Sequence, residues 1–138
     1  MATLTKFHTF VEQMAEKVHN LGSDSLVLWM SNTAPTASTG ATISDISQIT
    51  YTNASSRALT VSSSAQSSGT YKLVIADITI TASGGTVGPF RYVGVYNDTA
   101  ASDQLVGGYY DYGSSITLAD TETFTVDFDG TNGFFTLA

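Results

Sequence analysis

The hydrophobic period of the chain changes once, at Gly22, and that change limits the architectures open to it. Before it, Phe7, Phe10, Val11, Met14, Val18 and Leu21 recur at helical spacing, while Lys6, Glu12, Gln13, Glu16 and Lys17 fall mostly off that stripe. Thr5 suits an N-cap, and Asn20-Leu21-Gly22 suits a helix end with glycine in the left-handed cap. A helix of about 15 residues is marginal alone, so its stripe must dock on its own body or on a neighbouring chain.

Beyond Gly22 the period is that of strands. Ser25–Ser31 (SLVLWMS) is a near-continuous apolar run, closed by Asn32 and Pro35. Residues 36–57 are rich in Ser and Thr, with Ile43, Ile46 and Ile49 three apart, the spacing of a short helical turn or of a loop packed by isoleucines. Ala58–Ser62 reads as a short strand before a polar loop tip, SSSAQSSG. Tyr71–Ala82 is the strongest strand signal. It puts Val74, Ala76, Ile78 and Ile80 on one face, and Leu73, Ile75, Asp77 and Thr79 on the other. SGGTVGP turns the chain into Phe90–Tyr96; Gln104–Tyr112, Ser115–Leu118, Glu122–Phe128 and Gly133–Leu137 follow. Turn signals recur at the rhythm of an antiparallel sandwich or barrel, and no strand-helix-strand spacing supports a parallel sheet. The expected architecture is one domain, 1–138: an N-terminal amphipathic helix over 1–22 and an antiparallel β-sandwich of about eight strands over 23–138.

Composition agrees. Thr (21) and Ser (17) supply over a quarter of the chain, and the charged fraction of 12% is about half the usual value. Five Lys and Arg against twelve Asp and Glu leave a net charge of −7. That balance speaks against nucleic acid, which needs clustered basic residues, and against anionic membranes. There is no cysteine, so disulfides, thiolate metal sites and cysteine nucleophiles are excluded. The N-terminal stretch carries charges throughout and has no apolar run like that of a secretion signal, so synthesis and folding in a cytoplasm are expected.

Catalytic constellations are weak. His8 and His19 share a helical face but lie roughly 16 Å apart along the axis, too far for one metal, and read as surface polar residues of the helix. DFDG at 127–130 opens like a calcium loop but lacks the later ligands, and reads better as a hairpin turn between the last two strands. Asp98 and Asp103 read as turn formers. No GxSxG occurs, and the glycine-rich SGGTVGP and VGGYY lack the lysine of a phosphate loop. A two-carboxylate site among Asp111, Asp120 and Glu122 stays open, but twelve acids make some pair inevitable. No catalytic residue, metal or cofactor is assigned, and a non-enzymatic protein is expected.

The aromatics remain. In Phe90–Tyr96, Arg91, Val93 and Val95 alternate with Phe90, Tyr92, Gly94 and Tyr96. The two valines place their face inward with Arg91 at the strand's entry, leaving Tyr92 and Tyr96 on a partly exposed face to which Tyr109, Tyr110 and Tyr112 can add. Such a patch suits a protein interface or carbohydrate stacking, and cross-strand aromatic pairs within a sheet account for it equally well. Phe7, Phe10 and Met14 of the helical stripe are the second candidate partner surface.

Several segments together resemble a family of small virion proteins of tailed bacteriophages and prophages: FVEQMAEKVHNLGSDSL, SNTAP, SGTYKLVIADIT, GGTVGPFRYVGVYNDTA, DYGSSITLAD, ETFTVDFDG and the closing GFFTLA. The likeness spans nearly the whole chain except about 36–66, and it carries no catalytic or metal residues. It implies a structural role, foremost a capsid decoration (cement) protein on the capsid exterior. The implied partners are the major capsid protein and further copies of itself. A tail or head-fibre component that binds carbohydrate on the host surface is the alternative.

Overall fold

The computed structural model describes residues 2–138, and those residues form a mainly β fold with antiparallel pairing and one α-helix. In chain order the elements are β1 (Thr5–Lys6), α1 (His8–Ala15), β2 (Leu26–Ser31), β3 (Val61–Ser67), β4 (Thr70–Ile75), β5 (Ile78–Thr81), β6 (Val87–Asn97), β7 (Gln104–Leu118), β8 (Thr123–Val126) and β9 (Phe135–Leu137). They make a four-stranded sheet in the order β1-β7-β6-β2, a three-stranded sheet β3-β4-β9, and a two-stranded sheet β5-β8. Where about eight strands were expected, nine occur among the described residues, in three sheets.

The helix is shorter than its apolar stripe. Thr5 does not cap it: Thr5 and Lys6 pair with Tyr109 and Gly108 as a strand, and extended Phe7 begins the helix without a side-chain cap. That pairing depends on Gly108, since a Cβ there would overlap the Thr5 carbonyl. The helix stops at Ala15, and Lys17 sits in the left-handed region at φ 64°. Val18 and Leu21 therefore belong to an irregular segment. Phe7 and Phe10 fill the protein's own core, so neither is free to meet a partner.

Tyr71–Ala82 is two strands in two sheets. Leu73 and Ile75 are buried on β4 and Ile80 on β5, so the inward set changes phase across Ala76-Asp77. Asp77 leaves the ladder and accepts a hydrogen bond from the Phe128 N–H (2.9 Å). The serine-rich segment expected to be a loop is strand β3, with its tip only at Ser68-Gly69. β7 runs unbroken through Gly113 where two strands were expected. Residues 129–133 do turn, with Asp129 Oδ1 accepting from the Thr131 and Asn132 N–H groups, but they join no hairpin: β8 pairs with β5 and β9 with β4.

The segment 42–59 starts against Asp103 and Gln104 at the head of β7 and, from Ser47 on, reaches the outer side of β2. Ile43–Asp45 is a single 3₁₀ turn closed by a capping box between Thr42 and Asp45. The Leu28 N–H donates to Arg57 O, Leu59 N–H to Leu26 O, and Ile49 N–H to Met30 O, so an irregular strap satisfies the edge a further strand would have taken. Ile46 is buried beneath it, with Ile43 and Ile49 packed against the core.

Candidate functional site

The five candidate tyrosines fall on two faces of the four-stranded sheet. Tyr109 stands opposite Gly94, and Tyr110 opposite Val93, so adjacent tyrosines of β7 point to opposite sides. On the first face Tyr92 meets Tyr109 edge to face at 6.0 Å, and Tyr109 packs 5.5 Å from the Phe7 ring. Tyr96 shares this face with Trp29, whose indole lies over Gly94 and is fully buried. Tyr92, Tyr96 and Tyr109 are all half-buried. They form cross-strand packing more than a free platform.

The second face carries the open surface. Val93, Tyr110 and Tyr112 of β6 and β7 face Phe124, Thr125, Val126 and Asp127 of β8 and its exit, with Ala2 at one end, around a groove of about 420 Å³. Tyr112 is the most exposed large apolar side chain at 58% and packs edge to face on Phe124 (5.5 Å), which packs in turn on buried Phe90 (5.1 Å). Tyr110 is anchored between Phe128 and Phe134, at 6.5 and 6.1 Å. Burial, and then the charge of Asp129, push its phenol pKa up.

Phe90, expected beside Tyr92, is fully buried, and the cause is an irregular ladder. Between the pairs Phe90–Ile116 and Tyr92–Asp111, β7 spends four residues (112–115) against Arg91 alone. Asp111 takes Arg91 in a two-pronged ion pair, Nε–Oδ1 2.7 Å and Nη2–Oδ2 2.8 Å, and also accepts the Gly113 N–H. The guanidinium holds the Asp111 carboxyl below its ordinary range. Asp111 is thus a partner of Arg91, well suited to fixing the bowed strand that presents Tyr112.

A second hollow, about 250 Å³, lies between α1 and β9. Leu4, Val11, Met14 and Leu137 rim it, with Val11 54% and Leu137 56% exposed. Of the helical candidates, buried Phe10 floors this hollow and half-buried Met14 lines it, and exposed Val11, placed in the helical stripe but not among the partner candidates, stands beside them.

His19 is neither helical nor at the surface. It is buried against Phe10, with Nδ1 3.1 Å from Asn97 Nδ2 and Nε2 3.2 Å from Gln13 Oε1. Asn97 Nδ2 also donates to Asp24 Oδ2 (2.6 Å), and Gln13 Nε2 to Gln104 Oε1 (2.6 Å). An amide N–H aimed at Nδ1 requires a neutral ring protonated on Nε2. Burial lowers the His19 pKa, and nearby Asp24 raises it by less. The folded state therefore resists a proton that the unfolded chain accepts near 6.5, so stability should fall as pH drops below about that value. The lowered carboxyls of Asp45, Asp111 and Asp129 add a second loss as pH passes below 3.8. Urea melts between pH 8 and 3 check this: His19→Gln should flatten the upper limb and leave the lower one.

Among the described residues, no group of three or more His, Asp or Glu is placed to hold a metal ion, and no helix is long and apolar enough to cross a membrane. Asp120 and Glu122 serve the backbone, accepting from the Gly84 and Ala119 N–H groups. Comparison with protein-family models, curated proteins and solved structures finds no match for this chain.

Proposed function

We propose that the protein is a non-enzymatic structural component of a tailed-bacteriophage virion, acting as a capsid decoration (cement) protein outside the major capsid shell. The supporting observation joins sequence to surface. Most residues lining the two apolar hollows come from the segments that resemble phage virion proteins: Val11 and Met14 from FVEQMAEKV, Tyr112 from DYGSSITLAD, Phe124–Asp127 from ETFTVDFDG, and Leu137 from GFFTLA. We read the large sheet and the two smaller ones as facing layers of a sandwich-like body that presents these hollows to shell protein and to further copies. Each contact can be weak, because a lattice offers many at once.

Mass spectrometry of purified virions is expected to find the protein at a copy number comparable with the shell protein. Absence from particles overturns the proposal, and a copy number far below the shell protein's moves it to the tail or fibre. A carbohydrate-binding fibre module would rely on Tyr112, the one strongly exposed ring of the five candidates. Host-glycan quenching of tyrosine fluorescence that disappears in Tyr112→Ala would favour that reading.

A further inference from the structure

We propose that β8 is an open docking edge that receives an extended, basic strand of another protein, the adjoining groove taking that strand's apolar side chains. The hydrogen-bond phase of the β5-β8 pair carries the inference. The Ala82 N–H donates to Glu122 O, while Ala82 O accepts from the N–H of Thr121, which sits in the left-handed region at φ 74°. Thr121 and Glu122 together oppose Ala82 as a bulge, and the bond to Glu122 O sets Ala82 and Glu122 as a bonded position. Bonded positions alternate in an antiparallel pair, so Phe124 and Val126 turn their backbone groups toward Ile80 and Ile78. Thr123 and Thr125 then point theirs away from β5.

On β5 the same phase turns Thr79 and Thr81 outward, and there the edge is closed. Ser55 Oγ accepts from the Thr81 N–H (2.9 Å), the Ser55 N–H donates to Thr81 O (3.0 Å), and Ser55 Oγ lies 3.4 Å from Thr79 O. On β8, among the described residues, the backbone groups of Thr123 and Thr125 have no such partner. One side of this small sheet is sealed and the other is left as a template.

Beside that edge lies the groove of Tyr112, Tyr110, Val93 and Phe124. An added strand bonds through its backbone and sends alternate side chains to one face, which is the geometry of strand addition with side-chain pockets. Charge selects the occupant. Asp127 is the one acid lining the groove, no Lys or Arg lines it, and the chain carries −7. A second copy would bring the same charge to the edge, whereas a strand alternating apolar and basic residues is attracted. The proposal concerns the edge itself and does not depend on the virion reading.

The test is amide hydrogen exchange by NMR on the full chain, with a blocked hexapeptide alternating Val and Lys as probe. At peptide about ten times its dissociation constant, the Thr123 and Thr125 amides should exchange about tenfold more slowly. A Val/Glu peptide should protect neither. Thr125→Pro removes an outward N–H and the side-chain bond to the exposed Thr79 hydroxyl but no backbone bond to β5, a placement an edge strand tolerates. Unchanged exchange at Ile78, Ile80 and Phe124 would report its intact fold, and protection of Thr123 by the Val/Lys peptide should be lost. Absence of protection at millimolar peptide, equal protection by the Val/Glu peptide, or protection retained in folded Thr125→Pro would each overturn the proposal. So would protection that grows with protein concentration without peptide, which would make the occupant a second copy.

Discussion

Gly94→Val is expected to destabilise the fold by about 3–5 kcal/mol, the range for losing a large buried aromatic. The added Cβ would overlap the indole of Trp29 at Cζ2, Cε2 and Nε1, far closer than van der Waals contact allows, because the ring rests directly on the Gly94 backbone. Trp29 is fully buried within the core cluster, so its ring cannot tilt aside without displacing core neighbours. The change forces the indole out of its seat. Thermal melts followed by fluorescence of the single tryptophan check this directly, with a loss of roughly 10–20 °C and a red-shifted emission expected. Trp29→Ala should cost about as much alone, and the double variant far less than the sum, because the second change removes the atoms with which the first collides. Strictly additive losses would show that the indole does not hold Gly94 to glycine.

Asn97→Ala is expected to cost about 2–4 kcal/mol, since several polar groups lose a buried partner together. Asn97 Oδ1 accepts from the N–H groups of Thr99 (2.9 Å) and Ala100 (3.1 Å), while Nδ2 faces His19 and Asp24. This fully buried amide joins the end of β6, the turn after it and the segment that follows the helix. Asn97→Asp separates the two halves of the role. It keeps the acceptor for the turn but sets a second carboxylate against Asp24, so its deficit should shrink as pH falls through the carboxylate range. Urea unfolding of the three proteins at neutral and acid pH provides the comparison. A neutral Asn97→Ala would sink the assignment.

The sequence disclosed the β class, the antiparallel turn rhythm, and the burial of Val93 and Val95, because each rests on a local period. What it concealed depends on partners distant in the chain. Thr5 and Lys6 look like a helix start until Gly108, far downstream, offers a ladder position. VSSSAQS looks like a loop because a polar edge strand buries too little to show alternation. The tyrosines look like one patch, but adjacent Tyr109 and Tyr110 face opposite sides, and the face that stays open is set by β8, distant in the chain. His19 lost its apparent helical face once the helix stopped at Ala15. Its partner Asn97 carried no local signal. The open edge of β8 was likewise invisible, since it is defined by which of two identical-looking threonine pairs meets Ser55.

The strap from Gln48 to Leu59 has a consequence for how this chain tolerates change in length. Its two ends bond β2 while its middle, Asn53–Ser55, bonds Thr81–Ser83, so adding or deleting a residue between them would pull one set of matches out of register and leave a sheet edge bare. At Ser68-Gly69 a Cβ would meet nothing within 4 Å, and chain can be added there without moving any buried atom. Two stretches that look equally irregular on paper thus differ in kind: one is measured to length, and the other is slack.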